Sequence, residues 1–182
     1  MRDHQTDSYI DPISAEVYSV TVPVPGRVRQ LANRLHPDLI GFETVREDHS
    51  CLLKRLGEGD HVAQLQHRAH RALEGTPAVE AEITGIDYFE DPPLGSAPVV
   101  YLVVESPGLE RIHADLTEAF EPVEGLEGND YVPHVTLARG GDLETATRLA
   151  DREIDPIRWT VGELEFRDGT DELPVSRVSL SS

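Results

Sequence analysis

The chain spells one pattern twice, and that repetition limits the folds open to it. Residues 17–24 alternate as a strand and end at Pro23 and Pro25. A helix then starts at Pro25-Gly26, with Val28, Leu31, Ala32 and Leu35 spaced at three and four residues. It is expected to stop before His36-Pro37, because the residue preceding a proline resists the helical region. Residues 41–46 lead into a strand that opens on His49. Asp60 reads as the N-cap of a second helix, whose stripe is Val62, Leu65, Ala69 and Leu73 and whose end is Gly75. A strand at 79–89 has a phase slip near Gly85, which predicts a bulge. After a proline-rich turn at 91–96 the order begins again. There is an apolar strand at 99–105, then a helix at 108–120 built on Leu109, Ile112, Leu116 and Phe120. An acidic loop at 121–130 delivers the chain to a second strand that opens on a histidine, His134. A short helix at 143–151, a strand at 157–166, a turn at 167–170 and a strand at 174–180 complete the chain.

The expected architecture is therefore α+β and bilobal. Two antiparallel sheets would flank a central cleft, with helices outside and a pseudo-twofold axis between the histidine strands. Residues 1–15 are polar and aperiodic and read as a loose tail. Residues 16–182 read as a single domain of ordinary size.

The second histidine strand, Tyr131-Val132-Pro133-His134-Val135-Thr136-Leu137-Ala138-Arg139, carries the chemistry. Alternation sets His134 and Thr136 on one face, with Val135 and Leu137 on the other. An imidazole beside a hydroxyl suits a phosphate, since one moves protons and the other donates a hydrogen bond. The upstream copy, His49-Ser50-Cys51-Leu52-Leu53-Lys54-Arg55-Leu56-Gly57, is imperfect. In the same reading His49 and Cys51 share a face.

These segments resemble the two-histidine (2H) phosphoesterase superfamily. The similarity is greatest to its LigT-like branch of 2′-5′ RNA ligases and RNA 2′,3′-cyclic phosphodiesterases, and it spans residues 17–180. The resemblance implies His49 and His134 as the catalytic pair; their nearly symmetric arrangement leaves open which is acid and which base, and we take His134 as base and His49 as acid. Thr136, Cys51, Ser50 and Arg139 would bind the substrate phosphate. No metal or other cofactor is implied. Cleavage of a 2′,3′-cyclic phosphate on an RNA end or small nucleotide would leave a 2′-phosphate, and the reverse reaction would form a 2′-5′ link. The first motif departs from the family pattern at its hydroxyl position, which falls on Cys51. A thiol is a poor donor, and Ser50 serves instead only if a bulge turns it to the histidine face. Aligning the trailing Leu-Lys-x-Leu-Gly leaves one residue too many after His49. Three outcomes stay open: a slowed enzyme, a site rebuilt around Ser50, or a module that binds a nucleotide or RNA end without turnover.

Composition sets the surroundings. The chain has 34 acidic and 16 basic residues, a formal net charge of −18. Lys54 is its only lysine. The acids are dispersed among patterned apolar segments, unlike a disordered acidic tail, and the balance suggests a halophilic cytoplasmic protein. Lys54, Arg55 and Arg139 are the expected local positive charges. A lone cysteine excludes an internal disulfide, and no nucleophile signature surrounds Cys51. His61, His67 and His70 lack the further ligands that zinc needs and read as a polar helix face. No apolar run suits a membrane span, and a monomer is expected.

Overall fold

A computed structural model describes residues 18–57, 61–169 and 174–182. The expected tail at 1–15, the Asp60 cap and Thr170 of the last turn lie outside them. In chain order the elements are β1 (Tyr18–Pro23), α1 (Gly26–Leu39), β2 (Thr44–Val45), β3 (Ser50–Gly57), α2 (Val62–Ala72), β4 (Val79–Phe89) and β5 (Val99–Glu105). Then come α3 (Pro107–Ala119), β6 (His134–Arg139), α4 (Leu143–Ala150), β7 (Ile157–Val161), β8 (Glu163–Asp168) and β9 (Pro174–Ser179). The main order across the sheet is β7-β4-β5-β6-β3-β1-β8-β9, with β2 also pairing β6.

The α+β class holds, but the two expected sheets are one. The histidine strands β3 and β6 pair directly, and the ladder between them is a single residue pair, Cys51 with Val135. The lobes therefore share a sheet that is narrow at its midline. A second correction concerns residues 157–166, read from sequence as one strand. Gly162 splits them: β7 pairs with β4 and β8 with β1, at opposite sides of the sheet. The apolar alternation runs through the break, so the sequence conceals it. Likewise β4 follows α2 in the chain yet joins the lobe of β5 and β6, so the lobes are not simply the two halves of the sequence.

Helix α1 also runs past the expected stop, with Pro37 inside its last turn. Continuing one turn puts Leu39 at 1% exposure beside Leu35, extending the apolar stripe. This offsets the lost backbone hydrogen bond at the proline. The slip foreseen near Gly85 is present as a register shift between Ile83 and Gly85. Helix α3 starts where Ser106 Oγ accepts from the Leu109 amide at 3.1 Å and donates to the Glu80 carbonyl at 2.6 Å. A Cβ on Gly108 would meet Val79 at 2.4 Å, so this helix approaches β4 only because glycine stands there.

The buried stripes of all four helices merge with the inward-facing strand residues in one core. Fully burying each large aliphatic there contributes about 1.5–3 kcal/mol. The opposite face of β3 and β6 stays half exposed. None of the described helices is long and apolar enough to cross a membrane.

Candidate active site

Register defines the site. On one side Thr21 pairs with Leu52, Val22 with Cys51 and Pro23 with Ser50, with a shift between Val20 and Thr21. On the other, Tyr101 pairs with Thr136, Leu102 with Val135 and Val103 with His134, with a shift between Val100 and Tyr101. The burial sequences of β3 and β6 also coincide, residue for residue, over their first six positions. A twofold axis through the Cys51–Val135 pair thus relates Ser50 to His134, Leu52 to Thr136, Lys54 to Ala138 and Arg55 to Arg139.

The expected faces of the first motif change accordingly. Directly paired residues point the same way, so Cys51 faces the core with Val135. Its thiol is fully buried and pushed up to about 11 by that burial, so it presents no donor to a phosphate. Ser50 and Leu52 occupy the face of His134 and Thr136. His49 precedes β3, outside its ladder, and is 8% exposed. Burial holds its pKa below the ordinary value; Asp48 opposes that shift, and Arg29 and Arg46 reinforce it. The one extra residue seen in the sequence is the cause: it moves the motif by one position, which in a strand reverses every side chain.

The β6 half presents an imidazole with one fixed and one open nitrogen. His134 Nδ1 lies 2.7 Å from the Val132 carbonyl, an oxygen that can only accept. Nδ1 therefore donates, and in the neutral ring Nε2 is left as a lone-pair acceptor. Phe89 and Tyr101 stand edge-on to the ring with centroids at 5.2 and 5.1 Å. Burial chiefly lowers the His134 pKa, the Val132 bond opposes this, and repulsion from Arg55 and Arg139 lowers it further. The imidazole is thus neutral into mildly acidic solution. Arg139 donates to the Leu94 carbonyl at 2.9 Å. Gly95 permits that contact, since a Cβ there would meet the guanidinium at 2.7 Å. Neither Ser50 nor Thr136 has a side-chain hydrogen bond among the described residues, so both hydroxyls remain available.

The β3 half anchors. Lys54, expected beside the phosphate, is completely buried and donates to Glu127 Oε1 at 2.6 Å. It also reaches the Arg55 carbonyl at 2.6 Å and the Glu121 carbonyl at 3.0 Å. Glu127 Oε2 accepts from the Arg55 amide at 2.9 Å. Beside this, His113 donates from Nδ1 to the Leu53 carbonyl at 2.7 Å and accepts at Nε2 from the Gly128 amide at 2.9 Å. Tyr131 stacks on His113 at 3.8 Å and donates to the Leu52 carbonyl at 2.9 Å. The loop before His134 is therefore fixed to β3, and through it the His134 ring is positioned. Glu127, His113 and Tyr131 were not singled out as site residues from sequence. Tyr131 stood in the second motif without an assigned role, and an acid in a glycine-containing loop and a histidine at an apolar helix position hinted at the other two.

Arg55, Arg139 and His134 converge on the open face, while His61, His67 and His70 gather no metal-binding group among the described residues.

Comparison with known proteins agrees with this geometry. No curated protein matches the chain in sequence. Among solved structures, TT0787 of Thermus thermophilus is similar at TM-score 0.64 and 17% identity, covering 90% of this chain and 97% of its own. Escherichia coli LigT complexed with 3′-AMP is similar at TM-score 0.65 and 16% identity, with 92% and 99% covered. Usb1 of Kluyveromyces marxianus gives 0.54 and 14%, with 94% and 100% covered. At such identities these likenesses establish a shared fold. The sequence pattern of the 2′-5′ RNA ligase superfamily matches residues 22–172, most of the chain. With the paired strands, their common axis and the His-x-Thr of β6, this establishes that the chain belongs to the 2′-5′ RNA ligase superfamily.

Proposed function

We propose that this chain hydrolyses the 2′,3′-cyclic phosphate end of RNA or of a small nucleotide to a 2′-phosphate, slowly, with His134 as its general base. The observation that carries this is the free Nε2 of His134 on an open face shared with Thr136, Ser50, Arg139 and Arg55. His134 Nε2 takes a proton from water as the oxygen attacks phosphorus. The bond from phosphorus to the 3′-oxygen breaks, and that oxygen takes its proton from solvent. Thr136 and Ser50 donate to the equatorial oxygens while the guanidiniums offset their charge. By reversibility the same groups serve formation of a 2′-5′ link.

His49 stands outside this scheme, and Ser50 holds the place where a second imidazole would act as acid. Lacking a positioned acid costs on the order of 100- to 10,000-fold, which is why turnover is slow. That E. coli LigT was solved with 3′-AMP supports a nucleotide-sized occupant. The formal charge of −18 repels nucleic acid in dilute buffer. At molar salt the screening length falls to about 3 Å, which leaves the local guanidiniums to act.

Leu52 and Ser50 at the altered half favour a second reading, a module that holds the nucleotide end without turnover. Phosphorus NMR of a cyclic nucleotide separates the two. Slow appearance of a 2′-phosphate, reduced about 100-fold or more by His134→Ala, supports the enzyme. Binding by calorimetry with no product supports the module, and absence of both binding and product ends the proposal.

A further inference from the structure

The positive charge on the open face extends beyond what one phosphate requires. Arg46 lies in the turn between β2 and β3, exposed, with its amide bonded to the Leu137 carbonyl at 2.8 Å. Thr44 pairs with Arg139 in the same ladder, which sets Arg46 beside Arg139 at the end of the site away from Tyr131. The acids nearby are otherwise engaged. Asp48 is bound by Arg167 at 2.6 Å, Glu165 by Arg167 at 3.0 Å, and Glu127 by the buried Lys54 at 2.6 Å. Glu43 and Glu47, close in sequence, make no ion pair with Arg46 or Arg139 among the described residues. Arg46 and Arg139 thus keep their charges uncompensated by any carboxylate among the described residues, on the face that the phosphate would occupy. Their mutual repulsion registers as a lowered Arg139 pKa, after the larger effect of burial and with a further contribution from Arg55.

A 3′-terminal cyclic phosphate has only one neighbouring phosphate, the diester on the 5′ side of the terminal nucleoside. A mononucleoside cyclic phosphate has none. We infer that Arg46, next to Arg139, receives this second phosphate, so that the site selects the end of an RNA strand over a free mononucleotide. The inference rests on the phosphate-end reading above. It makes Arg46 a specificity residue, remote from the proton transfer at His134.

The test compares calorimetric binding of adenosine 3′-monophosphate with that of the 3′-phosphorylated dinucleotide ApAp, at several salt concentrations. The dinucleotide is expected to bind about tenfold more tightly, as one charge-assisted contact allows. Arg46→Gln should remove most of that ratio and flatten the logarithmic salt dependence by about 0.7. Arg46→Lys, which keeps the charge, should restore much of the ratio, and Arg71→Gln on α2 should leave it alone. If both probes bind wild type and the ratio survives Arg46→Gln in a folded protein, the second-phosphate subsite is wrong and the site itself stands. If neither probe binds, the phosphate-end reading fails and takes this inference with it.

Discussion

Strands β3 and β6 have the same fold environment and different occupations. Their bulges, partners and burial agree position by position, yet His134 faces Ser50 across the axis, Thr136 faces Leu52, and Ala138 faces Lys54. One strand carries the imidazole to which the proposal gives proton transfer, and the other carries a buried ion pair. Only Leu53 with Leu137, in the core, and Arg55 with Arg139 match. Twofold geometry therefore preserves the scaffold without preserving the chemistry. A strand position fixes where a side chain points, while the residue type fixes what it can do there.

The largest expected effect tests the anchoring half. Glu127→Gln leaves the Lys54 ammonium buried without its counter-charge, and should cost on the order of 3–5 kcal/mol in urea unfolding. Removing both charges, with Lys54→Met added, should recover part of that loss. If the single variant unfolds like wild type, β3 is no anchor. The next test asks whether the altered half can be made chemical. Ser50→His with Leu52→Thr should raise turnover of a cyclic nucleotide on the order of 100-fold, by supplying an acid and a donor at positions related by the axis. No gain in a folded double variant would separate the geometric axis from function.

The pH profile gives a smaller effect. Activity needs neutral His134, and burial and the arginines keep its folded pKa below the ordinary 6.5. The rate should therefore persist below pH 6.5 and fall as pH drops through the folded value. Arg55→Gln removes a like charge, favours the protonated ring, and should move this acid limb upward by less than about one unit. A downward shift would mean that Arg55 does not act on the imidazole. The smallest effect belongs to His49→Ala, expected to change the rate by no more than roughly threefold because the proposed scheme gives the ring no proton to move. A loss of about 100-fold would return the acid role to His49 and break the comparison between the strands.

Much of this was legible in the sequence. The order of helices and strands followed from apolar spacing, and the faces of His134 and Thr136 from simple alternation. The family could be read from the β6 motif with its trailing Arg139. The first motif misled over Cys51, because its face depends on register with β1 and β6. The one residue too many before Gly57 was visible in the sequence, but only the pairing with β1 and β6 shows which side chains face the core. Lys54 misled for a related reason: its partner Glu127 lies far along the chain, so a core lysine looked like a phosphate ligand. The continuous sheet was hidden because it hangs on one backbone pair, Cys51 with Val135.

The break at Gly162 carries a further implication for how this molecule can be taken apart. The first half of the sequence lends β4 to the second lobe, and the second half returns β8 and β9 to the first. Severing the chain between β4 and β5 would leave each fragment without strands that its own lobe requires. Neither histidine strand belongs to an autonomous unit, so duplicated halves of this protein cannot be shuffled as independent modules. Changes in one half-site are instead inherited inside a body that the other half holds closed.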